Sequence, residues 1–228
     1  MNKDIFKKYA ENQILILLAV MALICYPVLF TGCDADPAGI NLDEESFDIH
    51  DPESGGEGGN GAGLYSIGSI GPAGGWIFYI NPSADEDGWT YLEAAPADLD
   101  GDFKWSTVLE SSGADGTAAG TGYGNTQAIV SQNEYTESAA QACINHHVPH
   151  NSMVFDDWFL PSKDELNYMY LNLKAVGSGG FYNKSYWSSS EHSKTTAWSQ
   201  HFNNGTEEGD TPNPNKELER SVRPVRSF

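Results

Sequence analysis

Three groups of side chains have types and spacings that can do chemistry. In residues 97–103, ADLDGDF, the carboxylates Asp98, Asp100 and Asp102 alternate around Gly101. Alternating acids in a glycine turn can converge on one hard cation, because Ca²⁺ takes roughly six to eight oxygen ligands at about 2.3–2.6 Å. The glycine stands early for an EF-hand loop and no Glu follows at the twelfth position, so a solvated acidic turn is the competing reading. His146, His147 and His150, with Asp156 and Asp157, are zinc-ligand types. Neighbours on a helix point about 100° apart, so only one of the first two can join His150, and Val148-Pro149 ends the helix. A hydrolase triad could be drawn from the many Ser, His and Asp residues, but the serines of WSSSE, 187–191, lie on an apparent strand. They lack a G-x-S-x-G elbow, and no spacing selects a base. GTGYG at 120–124 does not meet the G-x-G-x-x-G nucleotide fingerprint.

Cysteine chemistry points elsewhere. Lys3, Lys7 and Lys8 precede a nearly unbroken apolar run over residues 14–30 that ends in LFTGC. A basic start, an apolar stretch and small residues before a cut form an export signal. The run is at the short limit for crossing a hydrocarbon core of about 30 Å. LFTGC resembles the lipobox of bacterial lipoproteins: Thr31 and Gly32 are small, and Cys33 supplies the thiol that takes the lipid. Phe30 departs from the usual aliphatic residue. The expectation is a lipoprotein signal over 1–32 and a membrane anchor through an N-terminal lipid on Cys33. An uncleaved anchor or ordinary cleavage competes with it, and either places residue 34 onward outside the cytoplasm. Cys25 falls in the leader and Cys33 carries the lipid, so Cys143 is left alone without a disulfide partner.

The chain of 228 residues carries 12 Lys and Arg against 32 Asp and Glu; without 1–32 the net charge is −21. A binder of polyanions must neutralise their charge with its own cations, so nucleic acid is excluded as a partner class. Residues 34–63 hold nine acids, no Lys or Arg, and the glycine cluster SGGEGGNGAG. Such a segment cannot bury enough apolar surface to offset its ordering entropy, which predicts an acidic flexible tether over 33–66.

The domain over 67–228 must position the chemistry. GGWIFYI (74–80) and GWTYLEA (88–94) read as strands of a hairpin. Thr136 is a candidate N-cap for a helix with Ala139, Ala140, Cys143, Ile144 and His147 on one face. Ser162 and Glu165 make an S-x-x-E capping box, followed by Leu166, Met169, Tyr170 and Leu173 at helical spacing, with Gly177 near the stop. Trp198, Gln200 and Phe202 alternate as in a half-buried strand, and Asn204-Gly205 signals a hairpin turn. Strands, then two helices, then strands predict an α+β fold with both domain ends in one sheet.

Several blocks carry a further resemblance: GPAGGWIFYI (71–80), GWTYLEAAPAD (88–98), GTGYGNTQAIV (120–130), DWFLPSKDELNYMY (157–170), YWSSSE (186–191), AWSQHFNNG (197–205) and VRPVR (222–226). In this order they resemble the Lcl C-terminal-domain-like family of bacterial surface or periplasmic domains. The resemblance implies a C-type-lectin-like fold, similar also to that of the formylglycine-generating enzymes, with short antiparallel strands, two helices and long loops. It implies no catalytic mechanism: the sugar motifs of calcium-dependent lectins are missing. The expected function is a lipid-anchored, non-enzymatic binding or adhesion domain facing the periplasm or cell surface, with a neutral glycan or a protein as ligand. By analogy with the fold, the ligand loops are 184–194 and 203–215, with Tyr186, Trp187, Glu191, His192, Asn203 and Asn204 as contacts. An envelope hydrolase or modifying enzyme and a structural envelope lipoprotein are the alternatives, and possible Ca²⁺ at Asp98, Asp100 and Asp102 is the cofactor expectation.

Overall fold

The computed structural model describes residues 64–132, 137–209 and 214–228, all within the unit Gly59–Phe228. The leader, Cys33, the tether up to 63 and Thr136 lie outside the described residues. The fold is α+β and loop-rich, with short helices and four small antiparallel sheets among the described residues.

β1 (Trp76–Ile80) and β2 (Tyr91–Ala94) form the expected hairpin, joined through the single turn α1 (Ala84–Asp87). The last strand, β10 (Val225–Ser227), pairs with the other edge of β2, so both ends of the domain share one sheet. Its core side carries Phe78, Leu92 and Val225 against α4 (Lys163–Asn172), which contributes Leu166 and Met169. These side chains are fully or almost fully buried, and burying each contributes about 1.5–3 kcal/mol. The capping box on α4 is present in both directions: Ser162 Oγ accepts from the Glu165 amide, and Glu165 accepts from the Ser162 amide. A 3-10 turn over Lys174–Val176 extends α4 to Gly177, whose φ of +81° closes it.

α2 (Gly122–Gln132) is an 11-residue helix that sequence periodicity does not reveal. Its inward positions Gly122, Asn125, Thr126 and Ile129 have the right spacing, yet three of the four are not hydrophobic. Each polar member is satisfied by a distant loop. Asn125 exchanges two hydrogen bonds with the Gly116 backbone, and Thr126 Oγ1 accepts from the Leu160 amide. Gly122 is required by contact: a Cβ there would stand 2.2 Å from Glu165 Oε2 and 2.9 Å from the Ser162 amide. α3 (Ala139–Ile144) buries Ala139, Ala140 and Cys143 and is capped by Ser138. His147 falls beyond its end, because the chain turns into the hairpin β4 (Val148–His150) and β5 (Met153–Phe155).

The third sheet is β6 (Ser185–Glu191), β7 (Ala197–His201) and β8 (Thr206–Glu208). The turn before β8 places Gly205 at φ +77°, as the Asn-Gly pair suggests. Pairing between β6 and β7 is interrupted from Trp187 to Glu191, and the three serines occupy the gap. Ser188 donates to Trp198 O, Ser190 donates to Gly116 O, and Ser189 Oγ accepts from Asn125. The hydroxyls take over where the strand leaves its ladder. The short β3 (Phe103–Lys104) and β9 (Glu219–Arg220) pair beside them.

Candidate functional site

The loop between β2 and β3, residues 96–102, is a ridge with clefts on both flanks. It is pinned from below. Asp98 Oδ1 accepts from Arg223 Nε at 2.6 Å and Oδ2 from the Tyr186 hydroxyl at 2.7 Å. Asp102 accepts from Ser221 Oγ at 2.7 Å and faces Lys184 Nζ at 3.3 Å. The Leu99 amide donates to Val222 O, and the Trp187 indole donates to Phe103 O. Gly101 turns the ridge at φ +94°, leaving Asp100 exposed.

A cation at this loop would compete with these partners for the acids. Asp98 and Asp102 each already hold protein donors, and among the described residues no three His, Cys, Asp or Glu side chains gather around a common point. A cation at the turn would first have to displace Arg223 and Tyr186 from Asp98. The histidine set is dispersed as well. His146 leans on Trp158, His147 Nδ1 contacts Asn145 O, and the His150 ring lies over Gly74, which has no Cβ to block it. Burial, and then the neighbouring His147, hold the His146 imidazole below its usual range.

Part of the expected ligand loop 184–194 needs correction. Residues 185–191 are an interior strand: Tyr186 and Trp187 are fully buried, in the first and second hydrophobic clusters respectively. Tyr186 stacks on Phe202 at 4.4 Å, and burial followed by the Asp98 contact pushes its phenol well up. Glu191 is buried too, holding Lys216 Nζ, Ser111 Oγ and the Ser112 amide. Burial alone would raise its carboxyl, but Lys216 and the serines outweigh burial and lower it. His192 meets Thr196 and the edge of Trp198. Asn203 and Asn204 are exposed, but Asn204 Oδ1 caps the β7–β8 turn through the Thr206 amide.

The solvent-facing groups that do converge belong to other positions. A cleft of about 440 Å³ between the ridge and residues 180–184 is lined by Asp98, Asp100, Tyr182, Lys184 and Ser221. Tyr182 is 66% exposed there, with its amide tied to the Tyr186 hydroxyl. On the opposite flank, a cleft of about 470 Å³ brings Asp100 and Phe103 towards Asn145 and His146. A third, of about 410 Å³, continues past Lys184 to Glu219 and Arg220. Sequence reasoning placed Lys184 at the start of an expected ligand loop but passed over Tyr182; the available signal was its place between two glycines and a strand.

Four of the nine Lys and Arg beyond residue 33 are drawn inward. Lys216, Arg220, Arg223 and Arg226 have side chains no more than 11% exposed, and each pairs with an acid. Each also lies over an aromatic ring: Trp105, Trp187, Phe181 and, for Arg226, both Phe155 and Phe228. The three arginines recur every third residue through the last strands, so the VRPVR block is a set of internal ties. The exposed surface is therefore more one-sidedly acidic than the composition alone suggests.

No protein-family model matches the chain, and no curated protein is significantly similar to it.

Proposed function

We propose that this chain is a lipid-anchored, extracytoplasmic binding domain of the bacterial cell envelope, without turnover of its own, whose ligand is a neutral glycan or a protein. The observation that carries the reading is the cleft beside the 96–102 ridge, where exposed Tyr182, Asp100 and Lys184 offer an aromatic face, an acceptor and a donor. They sit on loops held by the buried Asp98, Arg223 and Tyr186, which is the preorganisation that a binding site requires.

The nucleophile types are engaged elsewhere. Ser188, Ser189 and Ser190 are fully buried struts, and burial raises the Cys143 thiol well above its usual range, which disfavours the reactive thiolate. The ordered sequence blocks, the α+β arrangement and the shared sheet of both domain ends favour a C-type-lectin-like fold of the Lcl C-terminal-domain-like kind. Envelope placement rests on the basic leader, its apolar run and LFTGC at 29–33.

A glycan array and an envelope pull-down with the full chain test the reading. We expect a ligand whose binding is lost in Tyr182→Ala and Asp100→Ala while the fold persists. Turnover of an envelope substrate that one Ser or His substitution abolishes would refute it.

A further inference from the structure

We infer that the cleft between residues 184–185 and 218–221 holds a vicinal diol of a neutral sugar, with Lys184 and Arg220 donating to its hydroxyls and Glu219 accepting from them. This rests on the binding-domain reading above and narrows its ligand to carbohydrate.

Charge balance sets the ligand class. In a strongly acidic chain, this cleft is lined by two cations, Lys184 and Arg220, and two acids, Asp102 and Glu219, with Ser185 and Ser221 between them. An anionic ligand would meet Asp102 and Glu219, and a cationic one would meet Lys184 and Arg220. A sugar hydroxyl both donates and accepts, so adjacent hydroxyls can answer an acid and a cation together. The cleft, about 410 Å³, is within the range of small-molecule sites, roughly 300–1,000 Å³.

The donors are arranged for such a guest. The Arg220 guanidinium lies over Trp187 at 4.9 Å, and Nη1 is engaged by Glu208 at 2.9 Å. Its Nε is enclosed and meets no acceptor among the described residues. An enclosed donor without a partner is rare in folded proteins. Arg220 itself lines the cleft, beside Leu218 and Glu219. Lys184 is held loosely: Nζ is 3.3 Å from both Asp102 oxygens, with the two side chains 54% and 36% exposed. Asp102 keeps its 2.7 Å bond from Ser221 when Lys184 turns to a ligand, so the swap leaves no bare acid.

The test is to titrate the full chain, labelled with ¹⁵N-arginine, with methyl hexopyranosides and short neutral oligosaccharides while following the Arg220 Nε–Hε resonance. O-methylated analogues without a free diol are the controls. Support is a shift of that resonance by diol-bearing sugars only, with affinity lowered about tenfold in Lys184→Met and in Glu219→Gln, the scale of one hydrogen bond to a charged group. Both residues are exposed, so neither change threatens the fold. If neutral sugars bind but only Tyr182→Ala and Asp100→Ala weaken them, the diol cleft is refuted and the binding domain stands. A protein ligand with no carbohydrate binding has the same meaning. Absence of any ligand refutes both.

Discussion

Glu165 offers the sharpest test of how the interior is held together. Its carboxyl is fully buried between the starts of α2 and α4 and pairs with no cation among the described residues; it accepts from the Gly120 amide at 2.7 Å and the Ser162 amide at 2.7 Å. Burial pushes it up from 4.5 to about 7, against the pull of these amides. A carboxyl raised in the folded state favours folding in its neutral form. Its contribution is therefore fully present below 4.5 and is lost as pH rises through about 7. Between pH 5 and pH 8 the loss amounts to about 2.5 kcal/mol, from about 1.4 kcal/mol per unit of separation. Glu165→Gln removes the titration and replaces one acceptor oxygen by an NH₂ facing an amide donor, at a cost of about 1–3 kcal/mol. Urea denaturation of both proteins at pH 5, 6, 7 and 8 reads the difference directly. We expect the wild type to lead clearly at pH 5 and to lose most of that lead by pH 8. A lead that stays flat or widens with pH would refute the account, because the amides would then be holding a charged carboxylate in comfort.

Other expectations follow from single contacts. Gly122→Ala places a methyl carbon 2.2 Å from Glu165 Oε2 and against backbone at Ser162, so it should destabilise the domain by about 1–3 kcal/mol, measured by thermal unfolding; a neutral result would mean that α2 can slide. Arg223→Met strips Asp98 of its buried partner and should cost about 3–5 kcal/mol, with Asp98→Asn restoring part of the loss in a double-mutant cycle. Cys33→Ser should abolish metabolic labelling with palmitate and release the chain from the membrane fraction; unchanged labelling would refute the lipid-anchor reading.

Part of this protein was legible from its residues alone. The β1–β2 hairpin, the capping box and stop of α4 and the turn at Asn204-Gly205 were readable because each depends on neighbours within a few residues: a φ that glycine tolerates, an amide three positions on, a repeat of apolar side chains. The α+β class followed from their order. α2 was hidden because its inner face is polar, and Asn125 and Thr126 belong inside only when the Gly116 and Leu160 backbones arrive to meet them. The site was hidden for the same reason. YWSSSE reads as a strand in one dimension, with Tyr186 and Trp187 as ligand contacts only by analogy with the fold, and tertiary packing makes the whole run interior struts. The acidic turn gives up Asp98 to Arg223, 125 residues away, and Asp102 to Ser221, 119 away. What remains facing solvent is Tyr182, Asp100 and Lys184. Burial and pairing are decided by which distant segments close over a side chain, and no local pattern encodes that.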